Sequence, residues 1–203
     1  MVRVALTGGL ATGKSHVIRA LAARGIPTID ADVLAREALA PGSAGVEAVV
    51  RRFGDAVRAP GGAIDRRALA RVVFGDAEAR RDLEAIVHPY VYARIADWFR
   101  TVESPAGFAV ADIPLLFETG RERDFDRVVV VACAPERQVE RAMARDGLAE
   151  ADVRARLAAQ WPIGEKVAKA DHVILTDGTF AETDAQIDRV VEALGEEARR
   201  GRQ

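Results

Sequence analysis

The sequence predicts an α/β fold: a five-stranded parallel sheet flanked by helices. Three observations predict it. An apolar run at residues 2–7 leads through paired glycines into a helical pattern and then a second apolar run. Three later apolar runs are short and β-leaning, as strands buried on both faces should be. Helical sequence flanks every one of them. The 203 residues and 21.8 kDa suffice for one such domain with a sizeable core.

The elements follow in order. Residues 2–7 form the first strand, Gly8-Gly9 open a loop, and residues 15–24 carry a helix that Gly25 stops. Residues 26–29 read as a second strand ending in Asp30-Ala31-Asp32, completing a parallel strand–helix–strand unit. Residues 108–113, 128–133 and 172–175 supply three central strands. Between the second and third strands the chain reads as helical, at 46–53, 66–74, 78–87 and 89–99, with Pro60-Gly61-Gly62 as a turn. That insert is too long for a simple crossover and forms a subdomain. A second helical excursion, 135–170, is polar and Arg-rich and is interrupted by Gln160-Trp161-Pro162. Residues 181–200 close the fold as an amphipathic helix through Ile187, Val190, Val191 and Leu194.

Composition removes several classes of function. Lys+Arg 29 against Asp+Glu 31 leaves a net charge of −2, without the basic excess of a nucleic-acid or membrane-surface binder. No apolar run reaches the roughly 18 residues of a membrane span. The single cysteine, Cys133, can make neither an internal disulfide nor a zinc site, and a reducing cytoplasm is the expected location. The chain has 26 arginines but only three lysines, Lys14, Lys166 and Lys169.

Chemistry concentrates first at Gly8-Gly9-Leu10-Ala11-Thr12-Gly13-Lys14-Ser15, which matches G-x-x-x-x-G-K-[ST] between a strand and a helix. Gly8 and Gly13 permit the backbone angles that turn successive N–H groups onto an anion. The following helix adds its positive N-terminal end. Lys14 then reaches the β/γ-phosphates and the Ser15 hydroxyl can ligate Mg²⁺. His16 is a surface helix residue or a further nucleotide contact.

A phosphate loop alone does not name a reaction. A GTPase needs Asn-Lys-x-Asp, which is absent. Two helical excursions from one sheet instead suit a small-molecule kinase, which needs an acceptor pocket and a cover against water. Asp30 and Asp32 sit at a carboxyl strand edge, where one can hold the acceptor hydroxyl while the other caps the next helix. Asp112, ending the third strand, is either a Walker-B-like group holding Mg²⁺ through water or a loop cap. Arg141 and Arg145 share one helix face, either as phosphate contacts or as a solvated charged surface.

These segments, together with His88-Pro89, the run from Asp112 to Glu118 and the Arg141-x-x-x-Arg145-Asp146 spacing, occur in an order that is similar to dephospho-coenzyme A kinases, over residues 2 to about 194. The resemblance implies a P-loop NTPase-like core over 1–32, 104–136 and 171–203, a helical acceptor-binding subdomain over 33–103, and a lid over 137–170. It implies ATP-dependent phosphorylation of the ribose 3′-hydroxyl of dephospho-coenzyme A, with Mg²⁺, in a monomer acting on small molecules. Asp32 then stands as the base beside the acceptor, with His88, Leu115 and Glu118 on the acceptor side. His88 has the alternative of a helix-start histidine packed in the core. Lys14 and Arg141 take the charge of the transferring group, and Arg145 is a second lid contact. Lys166 and Lys169 fall on an expected phosphate-facing surface. The chain departs from the family where Ala11-Thr12 stands for Gly-Ser, where His16 stands for Thr, and at Thr176-Asp177 after the last strand. Two rivals are a related kinase with another acceptor and a regulatory NTP-binding protein.

Overall fold

β1 (Val2–Gly8) runs through the centre of a five-stranded sheet in the computed structural model, which describes residues 1–201. Its neighbours are β3 (Phe108–Asp112) and β4 (Arg127–Ala132), both parallel to it. β5 (His172–Leu175) follows β4, and β2 (Thr28–Asp30) forms the far edge, giving the order β2-β3-β1-β4-β5. Each expected strand is present. The register sets Leu6 opposite Asp112 and Gly8 opposite Val131, so Asp112 lies beside the strand that feeds the glycine loop.

The chain divides into two compact units, Met1–Ile29 with Val102–Gln203, and Asp30–Thr101. In the first, Val4, Leu6, Phe108 and Val131 of the sheet are buried against α1 (Lys14–Ala23) and α9 (Phe180–Arg200). α9 begins with a capping box: the Glu182 N–H donates to Thr179 Oγ1 at 3.2 Å, and the Thr179 N–H donates to Glu182 Oε2 at 2.7 Å. The Thr179 N–H and the Thr179 hydroxyl, both donating to Glu182 Oε2, hold the Glu182 carboxyl below its ordinary range. Residues 137–170 fall within this unit, in α6 (Pro135–Asp146), α7 (Glu150–Ala158) and α8 (Ile163–Ala168). Cys133 is buried, and burial pushes its thiol pKa up, which leaves it an inert small hydrophobe.

The second unit contains α2 (Ala31–Ala38), α3 (Ala44–Phe53), α4 (Arg66–Phe74) and α5 (Ala77–Thr101) around Val46, Val49, Val57 and Leu69. One expectation is corrected here. Residues 78–87 and 89–99 are a single helix that passes through Pro89. An interior proline forfeits a backbone hydrogen bond and opposes helix by about 3 kcal/mol. Val87, Val91 and Ile95 are buried at intervals of four on both sides of it, and each such burial contributes roughly 1.5–3 kcal/mol. One continuous stripe therefore outweighs the break. Among the described residues, no helix is long and apolar enough to cross a membrane.

Candidate active site

The glycine loop leaves β1 at Gly8 and enters α1 at Lys14, with Gly13 as N-cap at φ 85. Its carbonyls are engaged by the protein. Gly9 O accepts from Thr12 Oγ1 at 3.0 Å, Leu10 O from Gln138 Nε2 at 2.7 Å, and Thr12 O from Thr176 Oγ1 at 2.7 Å. Lys166 Nζ donates to Gly8 O at 3.4 Å. Acceptors that would repel an anion thus face protein donors, and in the first turn of α1 the His16 N–H donates to Gly13 O at 2.9 Å. Gly8 is not in a left-handed conformation, contrary to expectation. It is needed because a Cβ would come within 2.6 Å of the Val131 carbonyl. The left-handed residues of the loop are Gly13 and, unexpectedly, Ala11 at φ 56.

Lys14, in the first turn of α1, pairs through Nζ with Asp112 Oδ1. Asp112 is 7% exposed, so its carboxylate is a partly desolvated charge beside the loop. Ser15 follows Lys14 on the same helix turn. His16 Nε2 lies 2.9 Å from Asp184 Oδ1, and its ring is 4.7 Å from that of the exposed Phe180. His16 thereby ties α1 to α9.

Arg141 lies on α6 and reaches the loop after β5: Nη1 donates to Thr176 Oγ1 at 2.9 Å and Nη2 to Thr176 O at 2.6 Å. Arg145, one turn later, is exposed and forks onto its neighbour Asp146 at 2.7 and 2.9 Å. Arg141 is thus joined to the phosphate loop through Thr176. Arg145 is turned to the exposed end of α6, onto Asp146.

Lys166 corrects the expectation of a phosphate-facing lysine, because it is 0% exposed. Its ammonium sits 2.7 Å from Glu118 Oε1, which also accepts the Trp161 N–H at 3.0 Å. Phe117 stacks on Trp161 at 5.9 Å, and Lys169 Nζ lies over the same tryptophan, 5.8 Å from the ring centroid. A buried ammonium persists only when paired and hydrogen-bonded, and Glu118 supplies that pair. Leu115, three residues earlier, is 38% exposed.

In the second unit, Asp30 is the capping residue: its Oδ1 accepts from the N–H groups of Asp32 at 2.7 Å and Val33 at 3.2 Å. Asp32 lies in the first turn of α2 with its side chain exposed. Of the two carboxylates, then, Asp30 is structural. His88 is half-buried in the middle of α5, not at a helix start, with its ring edge-on to Tyr92 at 5.9 Å. An apolar groove of about 270 Å³ runs between α2, α4 and α5, floored by Leu39, Leu69 and Val73 and bounded by Arg36 and Arg66.

Sequence reasoning missed Gln138, Gln160 and Thr176 as partners of the glycine loop, and misplaced Lys166. Gln138, 3% exposed, stands among charged residues of α6. An uncharged amide on the apolar side of an Arg-rich helix was its one available signal.

Comparison with known proteins is consistent across the chain. A family model described as dephospho-CoA kinase matches residues 2–182. A dephospho-CoA kinase of Gloeobacter violaceus is 47% identical over 189 residues, covering 93% of this chain and 91% of the relative. One from Methylococcus capsulatus is 45% identical, covering 93% and 94%. Among solved structures, TT1252 of Thermus thermophilus superposes with TM-score 0.84 at 38% identity, covering 95% of this chain and 96% of that one. A dephospho-CoA kinase from Campylobacter jejuni gives 0.73 at 28% identity, covering 96% and 98%. A shikimate kinase of Bacteroides thetaiotaomicron, TM-score 0.51 and 15% identical over 95% and 98%, shares the fold alone.

Proposed function

The chain belongs to the dephospho-CoA kinase family, and from that premise we propose that it transfers the γ-phosphoryl group of ATP to the ribose 3′-hydroxyl of dephospho-CoA, giving CoA and ADP. The observation that carries the reading is the glycine loop whose carbonyls are held by protein donors, with Lys14 and Ser15 at the start of α1 beside it.

ATP lies with its phosphates over residues 8–15, and Lys14 exchanges Asp112 for the β/γ-phosphates as nucleotide arrives. A hydroxyl and a carboxylate are hard oxygen donors of the kind magnesium takes. Ser15 would hold Mg²⁺ directly and Asp112 through water. When bound, the ion would neutralise charge on the phosphate oxygens. Among the described residues no group of three or more His, Cys, Asp and Glu is placed to hold a metal, so nucleotide oxygens would complete its shell.

Asp32 accepts the proton of the 3′-hydroxyl and aligns it for in-line attack. Asp30 caps α2 and so leaves Asp32 free for that role. Lys14 and Arg141 stabilise the charge on the transferring group, so that catalysis is chiefly positioning and electrostatics. Leu115, Glu118 and His88 remain on the acceptor side of this reading, with Glu118 also anchoring Lys166. Arg145 is a further phosphate contact once released from Asp146. Small-molecule substrates and a cytoplasmic, monomeric enzyme complete it.

The test is ADP release from ATP·Mg²⁺ with dephospho-CoA, adenosine, AMP or shikimate as acceptor. Stimulation by dephospho-CoA alone, with a 3′-phosphorylated product by mass, is the expected result. Equal stimulation by another acceptor would overturn the substrate assignment.

A further inference from the structure

Ala11 is the one non-glycine residue with positive φ among the described residues, at 56°. Its Cβ disfavours that left-handed conformation by about five- to thirtyfold in equilibrium terms. Something must hold it there. Immediately before it, Leu10 is gripped at both ends of its backbone. Its N–H donates to Gln160 Oε1 at 3.0 Å, and its carbonyl accepts from Gln138 Nε2 at 2.7 Å. Gln138 comes from α6, and Gln160 from the turn between α7 and α8.

The two amides act on different peptide planes. Gln160 fixes the plane that contains the Leu10 N–H, and Gln138 fixes the plane that contains the Leu10 carbonyl and the Ala11 nitrogen. With both planes set, the direction from which the chain enters Ala11 is determined. Leu10 and Ala11 are also packed against Val139, Ala142 and Val153 of α6 and α7. Gly9 is part of the same arrangement, because a Cβ there would collide with the Gln138 amide nitrogen. Gln138 is itself buried, so its amide has little freedom to let go.

We infer that Gln138 and Gln160 are positioning residues for nucleotide binding, holding Ala11 in its left-handed conformation so that the loop keeps its anion-binding shape. Neither needs to touch nucleotide. The loop of this chain has an alanine where a glycine would adopt the same angles freely, and the two glutamines supply from outside the conformational bias that the alanine lacks. The inference rests on the phosphate-loop part of the proposed function and is independent of the acceptor.

The experiment is a mutant cycle read by calorimetric titration with ADP·Mg²⁺, alongside steady-state kinetics in ATP. Gln138→Met and Gln160→Met keep side-chain length and remove the amide. Each is made alone and combined with Ala11→Gly. Each single variant should lose about five- to tenfold in ADP affinity and raise the KM for ATP in proportion, with kcat little changed. Adding Ala11→Gly should shrink that loss to under about twofold, because glycine needs no external hold at that φ. Losses of equal size with and without Ala11→Gly, affinity within about twofold of the parent protein in both single variants, or a loss confined to kcat would each overturn the inference. If the buried Gln138→Met variant does not fold, the half-exposed Gln160 carries the same cycle. A wrong acceptor leaves this readout intact, whereas a parent protein that fails to bind ADP rejects the phosphate-loop reading itself.

Discussion

Arg141 binds Thr176 with both arms of its guanidinium, one to the hydroxyl at 2.9 Å and one to the carbonyl at 2.6 Å. The same hydroxyl donates to Thr12 O at 2.7 Å. Helix α6, the loop after β5 and the phosphate loop therefore meet at one side chain, which is 6% exposed.

Thr176→Val keeps the volume of that side chain and removes both bonds. Two buried hydrogen bonds at about 1 kcal/mol each predict a rise of roughly tenfold or more in the KM for ATP. Arg141→Met should instead lower kcat by about 10²–10³, as loss of a group facing transition-state charge does. Steady-state kinetics on both variants separates the two roles. Unchanged kcat in Arg141→Met would reduce Arg141 to a tether.

Asp32→Asn tests the base. It should lower kcat by about 10²–10⁴, the range of general base catalysis, with ADP affinity by calorimetry within about twofold of the parent. Asp30→Asn makes the paired control, because asparagine caps helices almost as well as aspartate and turnover should be nearly unchanged.

Lys166→Met removes one partner of a buried ion pair and leaves Glu118 with an uncompensated charge. A loss of about 3–5 kcal/mol is expected in urea unfolding. The double variant Lys166→Met with Glu118→Leu should recover most of it, since apolar groups can replace a buried pair at little net change. Equal instability of single and double variants would show that the pair contributes through packing alone.

The Arg3–Asp126 fork makes stability pH-dependent. Arg3 donates to Asp126 from its backbone N–H at 2.8 Å, from Nε at 3.2 Å and from Nη2 at 2.9 Å, which holds the Asp126 carboxyl below its ordinary value. A carboxyl whose folded-state pKa is lowered adds stability above its unfolded pKa, near 4, and loses it as pH falls through the lower folded value. Asp126→Asn should therefore lower Tm by a few degrees at pH 7, and the difference should shrink as pH falls below the unfolded value near 4. Both partners are substantially exposed, so 1 M salt should reduce the effect.

Local pattern made much of this protein legible. The five strands, the Arg66–Phe74 helix and the closing helix follow from apolar spacing, which depends only on residues near in sequence. The glycine loop is equally local, since its eight residues are contiguous and its flanking strand and helix are their immediate neighbours. Pro89 was misread for the same reason in reverse. Its local penalty is visible in sequence, while the stripe of Val87, Val91 and Ile95 that overrides it acts only when packed.

The amino-acid sequence by itself thus determined the sheet, the phosphate loop and the candidate roles of Lys14, Asp32 and Arg141. Tertiary structure alone decided which aspartate caps α2, that Lys166 is buried on Glu118, and that Gln138, Gln160 and Thr176 hold the loop's backbone. These contacts join residues 48 to 164 positions apart, except for the Asp30 cap. Hydrogen bonds at that separation depend on where the sheet brings strand ends together, and no spacing along the chain encodes it.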